Sequence, residues 1–148
     1  MLSVVIPIYN EEEVLEELIR RTVPVIESFL NNYEIIFVDD GSTDRSLDLL
    51  LSFRNENPRI KILSLSRNFG HQAAYTAGLE HATGDIVAMM DGDLQDPPET
   101  LADMYNKIQT EEYDIINARR KGRKEGAQRR ISMSIFHFLF KKISGFKN

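Results

Sequence analysis

Short apolar runs alternate along this chain with stretches of helical periodicity, and that alternation restricts the fold to very few architectures. The runs fall at residues 2–8, 33–38, 59–65, 85–90 and 113–118. Each is bounded by turn residues and most are rich in β-branched side chains, so each reads as a strand, the fourth as a buried one. Between the first two, Val14, Leu15, Leu18, Ile19, Val23, Ile26 and Leu30 recur at helical spacing over 11–30. Asn10 is placed to cap that helix, and Pro24 is expected to kink or split it. A second helix is predicted from Ser42 or Thr43 to Asn55 with Leu47, Leu50 and Leu51 inward. A small-residue helix follows over 71–81, closed by Gly84. Pro97 and Pro98 open a fourth, carrying Leu101, Met104, Tyr105 and Ile108. Strands and helices in this rhythm build an α/β fold: a mainly parallel open sheet with helices on both faces and right-handed crossovers.

Charge divides the chain unevenly. The net charge of −5 is the balance of −14 over residues 1–118 and +9 over 119–148. A basic end on an acidic body points to an anionic partner, whether nucleic acid, an anionic membrane or a phosphorylated substrate. With no cysteine among 148 residues, disulfides and thiolate metal sites are excluded. Residues 2–8 lack the basic lead of a secretory signal, and no apolar run is long enough to cross a bilayer. After Ala118 the strand–helix rhythm stops. Residues 119–130 read as a basic loop. Residues 131–146 place Phe136, Phe138, Leu139, Phe140, Ile143 and Phe146 among Arg129, Arg130, Lys141, Lys142 and Lys147. Such a basic, aromatic amphipathic helix suits a membrane interface, and equally suits packing on a further part of the protein. The chain is expected to be a fragment, because it stops without a finishing element.

The chemistry gathers where strands end. Asn10-Glu11 follows the first strand, Asp39-Asp40 the second, and Asp91-Gly92-Asp93-Leu94-Gln95-Asp96-Pro97-Pro98 the fourth. In an open parallel sheet these ends face one crevice. Crowded carboxylates repel unless a cation or donor groups sit among them. Asp91 and Asp93 with the Gln95 oxygen form a hard-oxygen set suited to Mg²⁺ or Mn²⁺, which take one or two protein carboxylates beside substrate phosphates. Glycine-rich dinucleotide and Walker phosphate loops are missing. Phosphate charge must then be met by the metal and by arginines such as Arg67 and Arg119. Asp39 can equally well serve only to bond the Ser42 turn.

Four motifs in order, Val4-Val5-Ile6-Pro7-Ile8-Tyr9-Asn10-Glu11, Val38-Asp39-Asp40-Gly41-Ser42, Arg67-Asn68-Phe69-Gly70 and Asp91-Gly92-Asp93-Leu94-Gln95-Asp96-Pro97, carry a family resemblance. The chain resembles family-2 glycosyltransferases of the GT-A fold, and among them polyprenyl-phosphate glycosyltransferases such as dolichyl-phosphate mannose synthase and bactoprenol glucosyltransferases. The resemblance implies that Pro7, Tyr9, Glu11, Val38 and Asp40 hold base and ribose. It implies that Asp91 and Asp93, helped by Gln95, bind the metal and the donor diphosphate. Arg119, and beyond it Arg130, match arginines near phosphate; Asp93, Asp91 and Arg119 would form the catalytic set. His71 stands where many relatives carry Lys.

On this resemblance residues 1–118 are expected to form a nucleotide-sugar-binding core, and 119–148 the start of an acceptor- or membrane-facing region. The expected reaction is inverting transfer of a hexose from a nucleoside-diphosphate sugar, UDP before GDP. The expected acceptor is a polyprenyl phosphate at the cytoplasmic face of a membrane, with residues 129–148 on the anionic surface and no nucleic-acid partner. Two alternatives stand beside it: transfer to a saccharide hydroxyl, and an inactive nucleotide-sugar-binding fragment. A Mg²⁺-dependent phosphoacceptor signalling domain also gathers acids after parallel strands, but Ala118-Arg119-Arg120 lacks the lysine it would need.

Overall fold

The computed structural model describes residues 1–119. Strands β1 (Leu2–Ile8) and β2 (Tyr33–Asp39) are buried along their whole length, because successive side chains feed two different cores. Leu2, Val4, Ile6 and Ile8 join Ile35 and Phe37 on one face of the sheet. They meet Leu15, Leu18, Ile19 and Ile26 of helix α1 (Leu15–Phe29), Leu50 of α2 (Ser46–Glu56) and Leu101 of α4 (Thr100–Thr110). The alternate residues Val5, Ile36 and Val38 face the other way, onto Ala74 and Tyr75 of α3 (His71–His81). Burial on both faces is why these strands show continuous apolar runs rather than alternation.

Strand β3 (Ile60–Ser64) and strand β4 (Ile86–Met89) complete a parallel sheet in the order β3-β2-β1-β4. The chain therefore builds outward from β1 through β2 to β3, then returns to lay β4 on the other side of β1. That reversal leaves a crevice at the carboxyl ends of β1 and β4, the place where open α/β sheets bind ligands.

Several local expectations are corrected. Helix α1 begins at Leu15 rather than Glu11, and Asn10 does not cap it: the 11–14 segment forms a turn in which the Glu11 carbonyl accepts the Val14 and Leu15 N–H groups. Pro24 sits inside α1 without dividing it, the buried inner face holding the helix together across the missing bond. Helix α2 starts at Ser46 because Ser42 and Thr43 are engaged with the loop after β1, and Leu51 faces outward. Strand β4 is not buried throughout. It pairs with β1 alone in the described sheet, and Met89 on its α3-side face is 53% exposed. No strand forms over 113–118; the Tyr113 N–H bonds back to the Glu111 carbonyl, and Ile115 is 77% exposed. The first compact unit is Met1–Ile116, and a second begins at Asn117, so most of the expected basic region lies outside the described residues. Among the described residues no helix is long and apolar enough to cross a membrane.

A charged residue is buried at the amino-terminal end of the sheet. Glu34, 3% exposed, takes Ser3 Oγ–H at 2.6 Å and the Thr83 N–H at 2.7 Å on Oε1, and pairs with Lys61 through Oε2. Burial alone would raise its pKa, but the Lys61 ammonium and the Ser3 and Thr83 donors together hold it down to about 2. A carboxyl depressed from 4.5 to about 2 stabilises the fold fully above the unfolded value, and that contribution drains as pH falls from about 4.5 towards 2. It is worth up to about 3 kcal/mol. Acid titration of stability is expected to show wild type losing its advantage over Glu34→Gln in that window. A stability difference that stays constant from pH 6 to pH 2 would contradict the assignment.

Candidate active site

Two loops leave the carboxyl edge side by side and are stitched together. After β1 the chain turns at Asn10, which takes a left-handed backbone with φ 55°. Its Oδ1 accepts the Thr43 N–H at 2.8 Å, while Ser42 Oγ accepts the Asn10 N–H at 3.0 Å. Ser46 Oγ accepts the Glu11 N–H at 2.9 Å, and Glu12 Oε2 accepts the Arg45 N–H at 2.9 Å. This lacing fixes the backbone on either side of Tyr9 and Glu11. The Glu11 carboxyl is pushed above its ordinary range, first by burial and then by the nearby Asp93 and Asp44 carboxylates.

The two acids ending β2 have separate tasks. Asp39 closes the turn, its Oδ1 accepting the Ser42 N–H and its Oδ2 the Ser64 hydroxyl, both at 3.1 Å. Asp40 holds the loop after β3. Its Oδ1 accepts the Phe69 N–H at 2.8 Å and its Oδ2 the Gly70 N–H at 2.9 Å. Gly41 follows the two acids with φ 68°, and a Cβ there would come within 2.4 Å of the Arg67 carbonyl carbon. Only glycine lets the two loops approach so closely.

The third contribution comes from the turn after β4. Gly92 sits against the end of β1, where a Cβ would fall 2.6 Å from Ile8 Cδ1 and 2.9 Å from the Pro7 carbonyl oxygen. The two flanking aspartates are thereby set over the β1 terminus. Asp91 Oδ1 accepts the Tyr75 hydroxyl at 2.9 Å and lies 3.1 Å from His71 Nε2. The His71 ring meets Tyr75 edge-on, with centroids 4.7 Å apart. Burial first, and then the bond to Asp91, push the Tyr75 phenol well above its usual range. Asp93 Oδ1 accepts the Gln95 N–H at 2.9 Å across Leu94, which is also left-handed.

These loops enclose a pocket of about 320 Å³. Of the expected site residues, Pro7, Tyr9, Glu11, Asp40, Asp91 and Asp93 line it together. Val38 does not: the strand alternation turns its side chain into the α3-side core, where it is fully buried. Gln95 is exposed beyond the turn and Arg67 lies over the Phe69 ring at 4.5 Å, so neither lines the pocket. Arg119 belongs to the unit that begins at Asn117, and Arg130 lies outside the described residues. Sequence reasoning left His71 without a role and did not single out Tyr75, although their four-residue spacing on a helix places both on one face. Asn68 and Gly70, read only as part of a motif, also line the pocket.

Among the described residues no group of three or more His, Asp or Glu side chains converges into an all-protein metal cage. The pocket instead offers Asp91 and Asp93, the donor number that Mg²⁺ or Mn²⁺ takes when substrate phosphates complete the shell. The like-charge pressure on Glu11 from Asp93 is of the kind a bound cation relieves. These residues fit such an ion.

A parallel α/β sheet with a carboxylate-lined pocket at the β1–β4 reversal is an architecture of the GT-A type. The chain belongs to glycosyl transferase family 2, whose family model matches residues 3–147. It is 46% identical over 122 residues to the uncharacterised glycosyltransferase YkcC of Bacillus subtilis (strain 168), covering 82% of this chain and 38% of that protein. Its fold is similar to the mannosyltransferase PcManGT of Pyrobaculum calidifontis, solved in complex with GDP-Man and Mn²⁺, at 27% identity and a TM-score of 0.58. That similarity covers 70% of this chain and 31% of PcManGT. S. aureus TarS 1-349 in complex with UDP-GlcNAc is similar over 84% of this chain and 38% of its own, with 25% identity and a TM-score of 0.61. The chain thus spans well under half the length of the relatives it matches.

Proposed function

We propose that this chain is the donor-binding part of an inverting glycosyltransferase that moves a hexose from a nucleoside-diphosphate sugar to a lipid phosphate. The observation that carries this reading is the convergence of Glu11, Asp40, Asp91 and Asp93 on one pocket at the sheet reversal. Pro7, Tyr9, Glu11 and Asp40 lie on the β1–β2 side, where base and ribose would rest against a half-exposed aromatic and hydroxyl-binding carboxylates. Asp91 and Asp93 lie on the β4 side, where they would hold Mg²⁺ or Mn²⁺. Such an ion supplies Lewis-acid charge to the departing diphosphate. The chain's own task in this reading is to orient that diphosphate.

A polyprenyl phosphate oxygen is already anionic, so transfer to it requires no strong general base. The basic aromatic sequence 129–148 supports an acceptor met at an anionic membrane surface on its cytoplasmic side. Deleting 129–148 is expected to abolish co-sedimentation with anionic vesicles; undiminished sedimentation would remove the membrane argument.

The reading as a whole is tested by thermal shift with UDP, GDP and their sugars, with and without Mn²⁺. Ligand at 100-fold its Kd stabilises the native state by about 2.7 kcal/mol, which raises the midpoint by several degrees. UDP with Mn²⁺ is expected to give the largest rise. No shift with any nucleotide under any metal condition would overturn the proposal.

A further inference from the structure

We propose that Tyr75 and His71 act as a clamp that positions Asp91, holding one carboxylate oxygen so that the other is presented to the cation that accompanies the diphosphate. The inference rests on the donor-binding reading above, and goes beyond it by assigning a role to two side chains of α3. Both partners of the clamp act on the same atom, Asp91 Oδ1, from 2.9 and 3.1 Å. The two rings meet edge-on, so each limits the movement of the other. Tyr75 is 7% exposed and packs in the α3-side core with Val5, Val38 and Ala74, which leaves its hydroxyl as the one polar group at the end of an immobilised ring. Gly78 lets this helix lie close on the sheet: a Cβ there would fall 2.3 Å from Val5 Cγ1. The seating of α3 on β1 and β2 is thereby set by packing, and Tyr75 carries that rigidity to Asp91. The seating of Gly92 against β1 fixes where the Asp91 backbone lies, and the two rings fix which way its carboxylate faces.

Groups that orient metal-binding carboxylates are worth roughly 10- to 100-fold in metal affinity. Tyr75→Phe keeps the ring and its packing and removes only the donor. The Mn²⁺ concentration that half-saturates the enhancement of UDP binding is expected to rise about tenfold in this variant. UDP affinity measured in chelator is expected to stay at the wild-type value. His71→Ala, at an exposed position, should shift the Mn²⁺ midpoint in the same direction, and the double variant should shift it by less than the product of the two.

A wild-type midpoint for Mn²⁺ in folded Tyr75→Phe would overturn the clamp. Should Tyr75→Phe fail to fold, a wild-type Mn²⁺ midpoint in His71→Ala would overturn it equally. Loss of thermal stability with no change in the Mn²⁺ midpoint would mark Tyr75 as a packing residue only, which also contradicts the proposal. Wild type that binds UDP with no Mn²⁺ dependence at all would instead count against the donor-site reading itself, so the two failures are distinguishable.

Discussion

Replacing Asp93 with alanine is expected to lower Mn²⁺-dependent UDP affinity by roughly 100-fold or more while the protein stays folded. Asp93 lines the pocket, and its bond to the Gln95 N–H closes only a surface turn. Its carboxylate also raises the pKa of Glu11, so its removal relieves repulsion between the two acids. The melting midpoint without ligand should therefore be unchanged or slightly higher. Isothermal calorimetry of UDP with and without Mn²⁺ separates the two effects. An unaltered Mn²⁺-dependent affinity in Asp93→Ala would remove Asp93 from the site.

Gly41→Ala carries the largest expected effect on stability. A Cβ at Gly41 would lie 2.4 Å from the Arg67 carbonyl carbon, 2.6 Å from Arg67 Cα and 2.7 Å from the Asn68 nitrogen, all backbone atoms. Backbone cannot rotate away as a side chain can, and the φ of 68° adds strain for any L residue. The loop holding Asn68 and Gly70 would have to separate from the loop after β2, breaking the bonds that Asp40 makes to Phe69 and Gly70. A destabilisation of about 3 kcal/mol or more is expected, lowering the midpoint by roughly 10 °C. Because Asn68 and Gly70 line the pocket, UDP affinity should fall as well. A midpoint within a degree or two of wild type would show that these loops do not pack in this way.

How far the sequence could be read follows from the reach of each interaction. Strands β1 and β2 were legible because their apolar runs are short, β-branched and unbroken, as burial on two faces demands. Helix α3 was legible to its ends, since His71–His81 falls between Gly70 and the Gly84 turn. The acids at the ends of β1, β2 and β4 were legible as one rim, because parallel strands have only one carboxyl edge. What the local pattern could not show was which residues are claimed by a distant part of the chain. Asn10 resembles a helix cap locally, but its side chain serves Thr43, on another loop. Ser42 and Thr43 resemble a helix start for the same reason, and α2 begins only once they are spent. Val38 shares a motif with Asp40, yet the period of two along a strand turns it to the opposite core. Tyr75, in a helix of small residues, reads as filler until the turn after β4 brings Asp91 to its hydroxyl. The apolar run at 113–118 has strand composition but gains no partner among the described residues.

The central claim is that carboxylates at the β1–β4 reversal are placed to receive a divalent ion together with a nucleoside diphosphate. A crystal structure of the protein with UDP and Mn²⁺ tests it most directly. Anomalous density for manganese beside Asp93 and Asp91, with the uracil and ribose between Tyr9 and Asp40, is the expected result. Nucleotide bound elsewhere on the molecule, with Asp93 turned to solvent and no metal at the rim, would contradict the account.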